Sequence, residues 1–374
     1  MVATAGSLAV LLTACAVTVP EGPAAPAIDR RAAAAWEALV AAEDARLATD
    51  GQVEQVRALL GSGNATLRAL AVRALGRSER PEFAPMIIHM LSDPDDGVRA
   101  AAAHALGDVS RQSGAGEARR ALLEVLTPPG DGGASAAAMT ETLGRLQADA
   151  ASAREVVGRI VPFVTHEDAA THGEAARTGA LRGLYLLARQ PAARPAVDAA
   201  AVQPLRAAST GTARGNARER TIALATLALI RAADEATLAA AMQDPEPMVR
   251  REAAAAAGTL ADSAAVRRIA GIAARDASPA VRYEAVRVHA ARLGTYGCDQ
   301  VISAVRDTSV HVSLLALATL GTACRSESHA ALLDSVAASA GGTSGDWHRA
   351  AQATLSLAAL DGARDGRRAD GARA

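Results

Sequence analysis

The densest gathering of groups able to bind a metal or move a proton is His166-Glu167-Asp168, followed by His172 and Glu174. Imidazoles and carboxylates are the usual ligands of zinc and iron. A helix that holds catalytic zinc, however, presents two histidines four residues apart with a glutamate between them, and this stretch does not. It reads as a solvated polar connection. His89, His104, His289, His311, His329 and His348 are scattered, and none can be matched with a nucleophile and an orienting carboxylate. All 39 basic residues are arginine, so the chain has no lysine for a Schiff base or a Walker-type phosphate loop. A formal net charge of −1 argues against a nucleic-acid binder. No catalytic residue, metal or cofactor is expected.

The three cysteines carry the remaining chemistry. Leu12-Thr13-Ala14-Cys15 closes an apolar run from Leu8 that is too short to span a bilayer and sits where a signal peptide is hydrophobic. The string resembles a bacterial lipobox, which implies removal of residues 1–14 and a lipid on Cys15; Met1–Ser7 departs from the pattern in carrying no arginine. Pro20, Pro23 and Pro26 among small residues read as an extended tether over 15–30. The expected location is the cell envelope, facing the periplasm, where disulfides form. Cys298 begins one helix of a hairpin and Cys324 follows the end of the other, so a disulfide and a pair of buried thiols are both open readings.

These groups sit on a scaffold whose composition is unusual. Half the residues are hydrophobic, but alanine dominates and aromatics make up only 2 %. Alanine favours helices and lets them approach closely, which suits stacked short helices better than one large core. Residues 31–50 read as a capping helix with Trp36, Leu39 and Val40 on one face. Nine units then follow in register on Arg68, Arg99, Ala136, Arg177, Arg220, Arg250, Arg282, Ser313 and His348.

Four residues before these references stand helix-capping residues such as Asn64, Asp95 and Asn216. Three after comes a column of mostly alanine, ending at Ala351, and seven after a column of mostly leucine, ending at Leu355. One residue further, Gly76, Gly107, Gly144, Gly258 and Gly321 are expected to end helices in the left-handed conformation. An apolar helix precedes each start, so each unit is a helical hairpin. Residues 361–374 lack an apolar period and are expected to be disordered.

Asp93…Val98-Arg99…Ala105-Leu106-Gly107, Asp244…Val249-Arg250…Gly258 and Asp276…Val281-Arg282 resemble the HEAT-repeat family, in the short bacterial subtype also seen in phycobilisome-lyase-like repeats. The resemblance covers residues 51–360 and implies an all-α solenoid of about nine hairpins. It also implies that Asp93 and Arg99, Asp244 and Arg250, and Asp276 and Arg282 form a structural ladder between units. Arg68, Arg177 and Arg220 lack an aspartate six residues before them, and Asp307 has Ser313 where the arginine belongs.

Solenoids bind along the face lined by their second helices. Arg73, His104, Arg182 and Arg287 share one column there and are expected to form a mildly basic ridge. The expected function is a non-enzymatic scaffold for a protein or extended peptide, touching the membrane through its lipid alone. One alternative is the substrate-positioning region of a peptidyl-prolyl isomerase or foldase, since the chain resembles the HEAT region upstream of cyclophilin-type domains in some bacterial envelope proteins. A tetrapyrrole lyase-like protein is a second.

Overall fold

The structure is a computed structural model that describes residues 30–127, 133–165, 169–210, 215–293, 297–324, 326–341 and 346–371. The expected signal peptide, Cys15 and most of the tether lie outside these residues, as do His166, Glu167 and Asp168. Among the described residues twenty α-helices follow one another: α1 (Arg30–Asp44), α2 (Asp50–Leu59), α3 (Ala65–Arg77), α4 (Ala84–His89), α5 (Asp96–Val109), α6 (Ala115–Val125), α7 (Ala134–Arg145), α8 (Ala150–Ile160), α9 (Pro162–Thr165), α10 (Ala169–Ala188), α11 (Arg194–Thr210), α12 (Ala217–Leu229), α13 (Glu235–Ala241), α14 (Pro247–Ala257), α15 (Ser263–Ala273), α16 (Pro279–Val288), α17 (Cys298–Ala304), α18 (Val310–Gly321), α19 (Ala330–Ala337) and α20 (Asp346–Gly371). After the capping helix α1 they pair as nine hairpins, from α2–α3 to α19–α20, with α9 a short turn inside the fourth. Among the described residues there is no strand.

Local chemistry explains where the second helices start. Asn64, Asp95 and Asn216 accept hydrogen bonds through their side chains from the backbone N–H of Thr66, Val98 and Glu219, satisfying donors the helix itself leaves unpaired. Pro247 and Pro279 are first helical residues, where proline forfeits no bond. The alanine and leucine columns are buried from Ala71 and Leu75 in α3 to Ala316 and Leu320 in α18.

The register breaks in the last unit. Leu355, expected in the core, is 65 % exposed, while Ala353 and Leu360 are buried. The inward face of α20 therefore lies two residues later than the column from His348 predicts, and Arg349 instead of His348 contacts the preceding unit. Residues 361–371, expected to be disordered, continue α20 as helix; alanine and arginine are strong helix formers.

The glycine column has a different role from the one expected. Among described residues, only Gly114 and Gly173 among the glycines have positive φ. Gly76, Gly107, Gly144 and Gly321 lie inside their helices, where successive second helices meet. A Cβ on Gly76 would lie 2.6 Å from the Cβ of Ala105, and one on Gly107 would lie 2.8 Å from the Cγ2 of Thr142. These residues are small because the neighbouring helix occupies the space.

Charge then fixes each unit to the next. Arg68 donates through Nε and Nη2 to both carboxylate oxygens of Asp93, at 2.8 and 2.7 Å. Arg220 clasps Asp244 at 2.6 and 3.0 Å, Arg250 clasps Asp276 at 2.7 and 3.0 Å, and Arg282 clasps Asp307 at 2.7 Å twice. The same arginines donate through Nη1 to the carbonyls of Ser62, Gly215, Asp244 and Asp276. The carboxylates in turn accept from the backbone N–H of Asp95, Glu246, Ser278 and Ser309. Each rung thus ties the turn of one hairpin to the helix start of the next.

The rungs run from an arginine to the aspartate of the following unit, so Arg68, Arg220 and Asp307, expected outside the ladder, all belong to it. Within the pairs six residues apart, Arg99, Arg250 and Arg282 reach only the backbone oxygens of Asp93, Asp244 and Asp276. Arg177 finds Glu219 at 2.8 Å. Arg99 bonds Asp96 at 3.0 Å, and Asp96 accepts from the N–H groups of Ala134 and Ser135 and the Ser135 hydroxyl, at the start of α7. Bonds from Arg68, Arg250 and Arg282 hold Asp93, Asp276 and Asp307 below the ordinary carboxylate range.

The seventh joint is built differently. His289 opens a π-helical turn (His289–Leu293) that continues α16, and its ring is 1 % exposed. Neither ring nitrogen makes a hydrogen bond of ordinary geometry among the described residues. Burial depresses its pKa; Ala270's backbone opposes the shift only in part, and Arg267 adds to it. The unfolded chain therefore takes up this proton more readily than the native one. Stability attributable to His289 is complete above the unfolded pKa of about 6.5 and declines as pH falls below it. Urea midpoints between pH 7.5 and 5 are expected to fall, and His289→Leu is expected to flatten that part of the profile. An unchanged profile in the variant would disprove the assignment.

Candidate functional site

The second helices pack directly on one another along the chain, whereas neighbouring first helices make fewer contacts. The tighter layer must lie on the inside of the curve, so the second helices line the concave face. The looser outer layer leaves a groove of about 730 Å³ between α2 and α4, bordered by Arg57, Leu60, Met86 and His89.

At the N-terminal end of the concave face lies a hollow of about 360 Å³. Its apolar lining is Trp36 from α1, Ala69 and Leu70 from α3, and Ala101 and Ala105 from α5; Thr66, Arg73, His104 and Asp108 complete it. Trp36 is 44 % exposed, while Leu39, on the same face of α1, is fully buried. The capping helix thus uses leucine to close the core and offers its tryptophan to the hollow.

All four residues of the expected ridge occupy this face, yet the ridge is not uniformly basic. Arg73 donates through Nε and Nη2 to Glu43 at 2.9 and 2.8 Å, and Arg77 reaches the other oxygen of that carboxylate at 3.1 Å. Arg182 pairs with Glu141 at 3.1 Å, and Arg287 with Glu284 at 2.6 Å. Arg251 also faces Glu284, at 3.4 Å. Burial lowers the His104 pKa and Arg145 lowers it further, favouring the neutral ring. Burial raises the carboxyl of Glu252. The face is a mosaic of braced charges with a few local imbalances.

The cysteine pair and the His166–Glu174 stretch stand differently. Cys298 and Cys324 are joined as a disulfide with Cα atoms 5.5 Å apart, and Nδ1 of the buried His329 lies 2.9 Å from the Cys324 carbonyl oxygen. Of the His166–Glu174 cluster, only the Glu174 side chain lies within the described region, and it accepts a bond from Asn216. Among the described residues, no three histidine, cysteine or acidic side chains gather as a metal site would need, and no helix is long and apolar enough to cross a membrane.

Sequence reasoning missed Glu43, Glu141 and the hollow. Glu141 lies in the ridge column itself, five residues after Ala136, and could have been read there. Glu43 lies on the capping helix, outside the repeat register, and only the fold brings it to Arg73.

Residues 53–140 match the HEAT repeat family. The HEAT match spans α2 to most of α7 and so includes Arg73, His104 and two walls of the hollow. Across the wider chain, the karyopherin Kap121p bound to the extreme C-terminus of the protein phosphatase Cdc14p is similar in fold. Its TM-score is 0.50 at 16 % identity, covering 83 % of this chain and 38 % of that one. An engineered protein gives 0.48 at 19 % identity over 88 % of this chain and 94 % of its own. The complex of CpcE and CpcF of phycocyanin lyase from Nostoc gives 0.36 at 20 % identity over 71 % and 98 %. No curated protein matches the chain by sequence. The fold is an all-α solenoid, with HEAT repeats over the matched region.

Proposed function

We propose that this chain is a binding scaffold whose concave face holds an extended segment of another protein, presented at a bacterial envelope membrane by a lipid on Cys15. The observation that carries the binding reading is the Trp36 hollow. Large aromatic side chains, left accessible among orientated polar groups, are what binding surfaces use as anchors. The lipobox-like Leu12-Thr13-Ala14-Cys15 supports export, and the Cys298–Cys324 disulfide fits an oxidising compartment.

A photo-crosslinking residue placed at Arg182, on the concave face and outside the lining of the hollow, and separately at the exposed Glu155 of α8, tests the face. In the native envelope, protein adducts are expected from position 182 and are expected to disappear with Trp36→Ala. Adducts from position 155 alone, or adducts at 182 indifferent to Trp36→Ala, would overturn the reading. For the anchor, labelled palmitate is expected to enter the wild-type protein and not Cys15→Ser.

A further inference from the structure

We propose that the Trp36 hollow takes a large apolar side chain from a polypeptide that also places a carboxylate against Arg73 and Arg77. This rests on the concave-face reading and adds the chemistry of the partner. The volume suits a leucine- to phenylalanine-sized group, and the lining of Trp36, Leu70, Ala69, Ala101 and Ala105 is apolar. A side chain entering it leaves water for a dry, largely preformed wall.

The charges around the hollow give the second half of the specificity. Arg73 and Arg77 share the single carboxylate of Glu43, whose side chain is buried while both arginine side chains are more than half exposed. Arg111 and Arg145 likewise share Asp108, at 3.1 and 3.8 Å. Four arginines therefore rest on two carboxylates, a group that carries an excess of positive charge and reaches the hollow through Arg73 and Asp108. Arg73 spends Nε and Nη2 on Glu43; its Nη1 has no protein partner among the described residues. Glu43 holds this arginine in place before any ligand arrives, which reduces the ordering cost of a charge-assisted bond. An apolar anchor flanked by acid matches both features, whereas a basic peptide would meet repulsion.

The test uses the full chain carrying Trp347→Phe, leaving Trp36 as the sole tryptophan and its emission as the signal. The probe is the capped peptide acetyl-SGELEGS-amide. Its comparators are SGQLQGS, SGESEGS and SGKLKGS in the same capped form, and acetyl-SGSGQL with a free carboxyl terminus. Saturable change with the acidic leucine peptide is expected, with affinity at least tenfold weaker for each capped comparator and lower in high salt. Comparable binding of the free-terminus peptide would identify a chain end as the carboxylate source; weaker binding would identify side-chain carboxylates.

Arg77→Gln, which leaves Glu43 paired with Arg73, and Ala101→Leu, which fills the hollow without altering charge, are each expected to weaken binding at least tenfold. Circular dichroism checks that both variants remain folded. Equal affinity for all capped peptides, dependence on charge alone, or no binding by folded protein would each overturn the proposal. In that last case, Trp36-dependent adducts at position 182 would still uphold the broader reading of the face.

Discussion

Asp244→Ala is expected to lower the unfolding free energy by about 3–5 kcal/mol, the range for removing one partner of a buried ion pair. The size follows from what is left behind. The Arg220 and Asp244 side chains are 5 % and 2 % exposed, so the guanidinium loses both bonds to the carboxylate where water cannot replace them. The Glu246 N–H loses its acceptor in the same step. Arg268 and Glu235 also pair closely, but at 56 % and 38 % exposure, where water screens the pair, and Glu235→Ala is expected to cost little. The combination Arg220→Met with Asp244→Leu removes both charges together and is expected to recover much of the loss. Urea unfolding measures the difference, and amide exchange should place the damage at α12–α14. A cost for Asp244→Ala as small as that for Glu235→Ala would show that the ladder does not hold the stack.

The fold was legible because its signals are local. A cap, an alanine three residues after the reference and a leucine seven after recur within one helix, and helix periodicity converts them into a start and an inward face. The ladder was only half legible because its partners lie 24 to 26 residues apart, in units whose sequence spacing varies. Counting Asp and Arg within a unit finds Asp93 and Arg99 but misses that Asp93 belongs to Arg68. The last unit misled for a related reason: His348 continues the spacing, but α20 begins later and Arg349 takes the contact. The candidate site was legible as a column of cations and illegible as a hollow. Trp36 and Glu43 come from the capping helix, which has no place in the repeat register, and only folding brings them to Arg73.

Glycine makes the same limit measurable, because one residue type serves opposite purposes in this chain. In the α7–α10 contact, a Cβ on Gly183 would run into the Thr140 carbonyl and one on Gly144 into the Gly183 backbone, while Gly179 faces the Ala137 backbone. Backbone lies on both sides, so no flexible side chain can move aside and the helices must separate. Gly158 in α8 has nothing within 4 Å of its Cβ position. Replacing each by alanine gives the same gain in helix propensity, about 1 kcal/mol. At Gly158 that gain stands alone, and Gly158→Ala is expected to stabilise by about 0.5–1 kcal/mol. At Gly183 it is outweighed by overpacking, and Gly183→Ala is expected to destabilise by about 2–3 kcal/mol. Thermal melts of the two variants should therefore shift in opposite directions. A Gly183→Ala protein as stable as the wild type would mean that α7 and α10 do not meet backbone to backbone.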